Sequence, residues 1–171
     1  MSLITLKGWL FVIMITSGTT VFAQTSVDSF PENTGDIAYN AALDDSSFTL
    51  CNSKVVFQYY NTASYYKDHK RAIEHYFKSH YHPTAPTTRE TGYLTIRFII
   101  NCSGKTDRFR VYELDANYQP FQFDKSISSQ LLKLTKELQG WQPPVYKNIV
   151  YDSYQYITFK LVKGTIECIL P

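Results

Sequence analysis

Hydrophobic positions along this chain change their period several times, and each change marks an element. Val55-Val56-Phe57, within Thr49 to Tyr60, reads as a short strand, and Asn61 to Ser64 as a turn. From Tyr66 the spacing becomes helical: Tyr66, His69, Ile73, Phe77 and His80 fall three or four apart, with Lys67, Lys70, Arg71, Glu74 and Lys78 on the other faces. Pro83 and Pro86 end that helix. Gly92 to Asn101 then alternates, with Leu94, Ile96, Phe98 and Ile100 to one side and Thr95, Arg97 and Asn101 to the other. Such alternation predicts a half-buried strand, which turns at Cys102-Ser103-Gly104-Lys105 and returns as Arg108 to Leu114. Asp124 is placed to cap a second helix whose stripe is Ile127, Leu131, Leu134 and Leu138, and Gly140 closes it. Period-two alternation resumes over Tyr151 to Val162, and Lys163-Gly164 turns the chain into a last strand, Thr165 to Leu170. The order predicts an α+β fold: two helices packed on one face of a small three- to four-stranded antiparallel sheet.

The 171 residues suffice for one core of ordinary size. A net charge of +2 with no Lys/Arg cluster sets nucleic acid aside, since phosphate binding needs a concentrated basic face. Aromatic content is high at 16%, mostly from 14 tyrosines, so rings rather than charges are the surface feature to follow. At the N-terminus Lys7 precedes an uncharged run, Gly8 to Ile15, then small polar residues and Val21-Phe22-Ala23; residues 1–23 read as a secretory signal peptide. The apolar part is much shorter than the ~20 residues that span a bilayer, so an integral membrane protein is not expected. Residues 24–48 hold five acids, Asp28, Glu32, Asp36, Asp44 and Asp45, and no Lys or Arg, which reads as a flexible acidic lead-in to a domain over 49–171. Cys51, Cys102 and Cys168 allow one bridge in an oxidising compartment. Cys51 with Cys102 is the favoured pair, because Cys168 alternates with Ile166 and Leu170 on a strand face expected to be buried; three buried unpaired thiols are the alternative.

An ordered set of short motifs resembles the C-terminal domain family of TonB. It comprises Phe57 through Ala72-Ile73 to His82-Pro83, then Gly92-Tyr93-Leu94-Thr95-Ile96-Arg97-Phe98-Ile99-Ile100-Asn101 with Ser103-Gly104. Trp141-Gln142-Pro143 follows the second helix, and Tyr156 to Leu161 closes the set. The resemblance spans roughly Val55 to Leu161 and implies the same small sheet, in a periplasmic or cell-surface protein exported by a Gram-negative bacterium. It also implies that an extended segment of a partner, an envelope protein such as an outer-membrane component, adds alongside the closing strand. On that strand Tyr154, Tyr156, Thr158 and Lys160 oppose Ile157 and Phe159 and are the candidate partner-binding residues, with Gly164 to Pro171 expected to cap the edge or shift for a partner. His82 stands where that family has Tyr before Pro83, and no uncleaved anchor or Pro/Lys-rich spacer precedes the domain, so an energy transducer is not implied.

Catalytic chemistry finds little to build on. No Gly-x-Ser-x-Gly elbow, phosphate-cradling Gly-rich loop, CxxC or CxxH occurs, and His69, His75, His80 and His82 lack metal-ligand spacing. No catalytic, cofactor-binding or metal-ligating residues are assigned, and a non-catalytic protein-binding module of the cell envelope is the expected function. A second reading comes from Tyr59, Tyr60, Tyr65, Tyr66 and Tyr81, which cluster ahead of the hairpin: exposed rings of this kind stack on the apolar faces of sugars, as in a glycan- or peptidoglycan-binding protein.

Overall fold

In chain order the elements are β1 (Val56–Phe57), β2 (Tyr65–Tyr66), α1 (His69–His80), β3 (Gly92–Ile100), β4 (Thr106–Asp115), α2 (Lys125–Glu137), β5 (Trp141–Gln142), β6 (Val145–Tyr146), β7 (Ile149–Val150), β8 (Asp152–Val162) and β9 (Thr165–Leu170). They come from a computed structural model that describes residues 36–58, 64–83 and 89–170. The stretches read as a signal peptide and as the first half of the lead-in lie outside the described residues, as do Tyr59, Tyr60 and Pro86.

The expectation of one small antiparallel sheet is corrected. A five-stranded mixed sheet runs β1-β8-β3-β4, with β9 also paired to β8, and two separate ribbons, β2-β5 and β6-β7, complete the architecture. β1 is parallel to β8, whereas β9, β3 and β4 join antiparallel. The physical reason is length: a strand of two residues has no period to read, and its pairing is fixed by partners far away in sequence. Val56 meets Asp152, and Tyr66 meets Trp141.

The long strands follow their side-chain alternation. Leu94, Ile96, Phe98, Ile100, Ile157, Phe159 and Leu161 are buried in one cluster with Phe77 of α1 and with Ile127, Leu131, Leu134 and Leu138 in and after α2. Asp124 accepts from the Ser126 amide at 2.8 Å, which satisfies one of the orphan N–H groups at the start of α2. At the β3-β4 turn Asn101, nearly fully buried, accepts from the amides of Ser103 and Lys105 and donates to the Thr49 carbonyl. Gly104 takes φ 76° there, and a Cβ on it would sit 2.7 Å from the Trp141 carbonyl, so the turn and β5 can approach only without a side chain. Among the described residues no helix is long and apolar enough to cross a membrane.

A bulge reshapes the final strand. Lys160 pairs with Cys168, but Leu161 pairs with Ile166, which leaves Glu167 as the extra residue. Ile169 therefore reaches the helix-facing core with Ile166 packed against it, and Cys168 is a half-buried free thiol instead of lying on a buried face with Leu170.

The side of the sheet away from the helices is partly covered by the acidic stretch. Ile37, Ile99 and Tyr154 form a second cluster with Phe48, Leu50 and Val56 against it. Arg110 holds Asp44 through two parallel bonds of 2.7 and 2.8 Å, the Asp45 amide donates to Asp107, and the Tyr154 hydroxyl donates to Asp36 at 3.1 Å. Residues 36–48, read from composition as flexible, thus lie packed against the sheet. Asp44 is buried, and the hydrogen bonds from Arg110 hold its carboxyl below the ordinary aspartate value. A carboxylate with a depressed native pKa stabilises fully above its unfolded value and loses that contribution as pH falls through the lower native one. Amide protection over residues 37–48, taken against the intrinsic exchange rate at the same pH, should fall below about pH 4 in the native chain. In Asp44→Asn protection should already be low at pH 7 and change little on acidification; an acid response equal to the native one would show that the pair does not hold this segment.

Candidate functional site

Rings converge where the β2-β5 ribbon meets the start of α1. Tyr66 is buried with its ring 5.2 Å from Trp141, edge on, and Trp141 in turn lies 5.2 Å from Phe98. This anchors the ribbon to the sheet core. Because side chains alternate, Tyr65 points the other way and stays 45% exposed. Its ring stacks on His69 at 5.1 Å with an interplanar angle of 27°. Asp68 and His69 both take positive φ, 60° and 57°, so two consecutive non-glycine residues are left-handed at the entry to α1. Such backbone costs on the order of 1–2 kcal/mol per residue. The native packing offsets that cost, and one result is an imidazole laid against the phenol.

Between these groups and the outer side of β8 runs a groove of about 320 Å³. Its floor is Ile73, Trp141, Ile157 and Ile169, and its rim carries Ser64, Tyr65, His69, Lys70, Gln155 and Tyr156. The volume lies at the lower end of the roughly 300–1,000 Å³ typical of small-ligand sites. The Trp141 indole N–H is buried and has no acceptor among the described residues, the kind of orphan donor that native interiors rarely tolerate without a purpose. A larger hollow of about 450 Å³ opens beside Asp45, Asn101, Lys105 and Asp107, but it is polar and lacks exposed rings. Several of its groups already serve the β3-β4 turn and the packed acidic stretch, as Asn101 and Asp107 do.

The four residues of the closing strand named as partner-binding lie on one sheet face, in different circumstances. Tyr154 is buried under the acidic stretch, and burial raises its hydroxyl pKa. Tyr156 lines the groove, Thr158 Oγ1 lies 2.9 Å from Thr95 Oγ1, and Lys160 pairs with Glu167 of β9. Part of the neighbouring edge is occupied, since β9 pairs with Thr158 to Val162 and β1 with Asp152 and Ser153. Of the clustered tyrosines, Tyr65 and Tyr66 line the groove. Tyr81 does not: its hydroxyl donates to the Gly164 carbonyl at 2.6 Å, and burial pushes it up to about 12. His69, Lys70, Trp141, Gln155 and Ile169, also in the groove, were not assigned to a binding site from sequence, since a ribbon of two-residue strands brings them together.

Cys51 and Cys102 are joined by a disulfide with Cα atoms 6.0 Å apart, beside the fully buried Asp152. These three residues form the one grouping of metal-type ligands among the described residues. Its chemistry is that of a structural knot: both sulfurs are used in the bond, and the carboxylate oxygens of Asp152 accept from the amides of Asn52 and Cys102, each next to or at a bridged cysteine. His80 Nδ1 lies 2.8 Å from the Tyr76 carbonyl, and Gln130 brackets the His82 backbone.

No family profile, curated protein or solved structure matches this chain. The resemblance to the TonB C-terminal domain, already at odds with a three-sheet architecture that includes a parallel strand, is therefore corrected. The TonB-like, periplasmic and secreted labels that accompanied it find no support in these comparisons.

Proposed function

We propose that the protein is a carbohydrate-binding module, without catalysis of its own, that holds a sugar in the groove between Tyr65 and β8. The observation that carries this reading is the half-exposed Tyr65 ring, fixed by its stack on His69 above an apolar floor and flanked by a polar rim. A sugar ring has an apolar C–H face and an equatorial belt of hydroxyls, so it fits a site offering a flat aromatic face and hydrogen-bonding groups around it. Export to an oxidising compartment belongs to the same reading, supported by the Cys51–Cys102 bridge and by the N-terminal charge and hydrophobicity pattern. Strand addition by an envelope protein has less support, because β9 and β1 already pair with both ends of the β8 edge it would use.

Retention on insoluble polysaccharide, including cell-wall glycan, checks the reading. Tyr65→Ala should weaken retention about tenfold, which corresponds to about 1.4 kcal/mol, while leaving the thermal midpoint within a few degrees of the native one. Tyr66 is unsuitable for the test because its ring belongs to the core. Tyr118, 65% exposed and stacked on Tyr93 away from the groove, supplies the control. If Tyr118→Ala and Tyr65→Ala behaved alike, or if the folded native protein retained no glycan, the reading would fail.

A further inference from the structure

We infer that the groove selects carboxylate-bearing sugars, of the uronic-acid type, over neutral ones; this rests on the carbohydrate reading just given. The inference comes from counting donors and acceptors around the rim. A neutral sugar hydroxyl both gives and takes hydrogen bonds, so a site for neutral sugars offers side-chain acceptors, commonly carboxylates, together with donors. Among the described lining residues there is no carboxylate. Ser64, Tyr65 and Tyr156 carry hydroxyls that both give and take, so the bias comes from charge: Lys70 offers three N–H donors and a full positive charge, and His69 offers a ring nitrogen that is a donor in one tautomer and in the cation. Gln155 tilts the balance further. Its side-chain NH₂ adds two N–H donors, while its Oε1 already accepts one bond, from the Tyr156 amide at 2.9 Å.

The charge nearest to Lys70 does not cancel this bias. Glu74, four residues on, reaches Lys70 Nζ at 3.9 Å, with the two side chains 51% and 35% exposed. A solvent-screened pair at that distance is weak and is readily exchanged for a carboxylate held closer. Asp68, the other acid at this end of α1, is not part of the lining, and the helix carries Lys67, Lys70 and Arg71 within its first residues or just before them. The stacked Tyr65–His69 pair then positions the sugar ring, and Lys70 takes the carboxylate that projects from its edge.

Isothermal titration of the native chain with three saccharides of similar size tests this: an oligogalacturonate, a saccharide containing N-acetylmuramic acid, and a neutral gluco-oligosaccharide. At least one of the two acidic ligands should bind ten times more tightly than the neutral one at low salt, and which of them does so identifies the source of the carboxylate. Raising the salt to 0.5 M should shrink the ratio, and Lys70→Met, which keeps the apolar stem, should bring it close to one. Equal affinity for acidic and neutral ligands, or a preference that survives Lys70→Met, would overturn the selectivity while the carbohydrate reading stood. Binding of no saccharide by the folded protein would remove both.

Discussion

Replacing Phe159 by alanine is expected to destabilise the protein by about 3–5 kcal/mol, the range for truncating a buried aromatic ring. Phe159 is fully buried at the middle of β8, paired with Leu94 of β3 on one side and Ile169 of β9 on the other. Its ring meets Phe77 of α1 edge to face at 4.6 Å. The ring therefore ties three strands to a helix, and a cavity left there cannot be closed by moving one element. Phe159→Leu, which keeps most of the volume, should lose much less. Urea denaturation of both variants gives the comparison; an alanine variant within 1 kcal/mol of the native protein would mean that the helix layer does not depend on this contact.

Phe159 also illustrates what was legible in the sequence. Its strand could be read because a run of alternating residues carries a strong signal, and the same holds for β3 and the leucine stripe of α2, whereas in β9 the bulge at Glu167 broke the alternation. Whatever depends on two-residue pairings left no such signal. Tyr65-Tyr66 and Trp141-Gln142 are unremarkable dipeptides until β2 and β5 come together, and the groove is built where they do. Lys147 and Asn148, both left-handed, make a tight two-residue hairpin of β6 and β7 in a stretch to which the sequence assigned no element. Composition misled over residues 36–48. Acid-rich, Lys-free sequence usually stays solvated, yet here one acid, Asp44, finds Arg110 across the sheet, and one apolar residue, Ile37, finds Ile99 and Tyr154. An acidic stretch docks when the charges and the apolar contact it needs are offered by another part of the chain, and period analysis of the stretch itself is blind to that.

The same logic gives the disulfide a larger expected effect than its place near the surface suggests. Cys51 and Cys102 are 51 residues apart in sequence, so their bond removes much of the freedom of the unfolded chain, on the order of 4 kcal/mol in the chain-entropy account. It also secures the end of the packed acidic stretch to the turn after β3, next to Asp152, whose carboxylate binds the amides of Asn52 and Cys102. Breaking the bond would lengthen the tether of residues 36–50 and weaken the cover over Ile99 and Tyr154, whereas the helix-facing core would keep its contacts. The Cys51→Ser/Cys102→Ser variant should therefore lose several kcal/mol in urea, with hydrogen exchange rising first over residues 37–56 and only later in β3 and β8. Reduction of the native protein should reproduce that order. Uniform loss of protection across both faces of the sheet would show instead that the bridge supports the whole fold, and an unchanged urea midpoint would show that the packed stretch needs no tether.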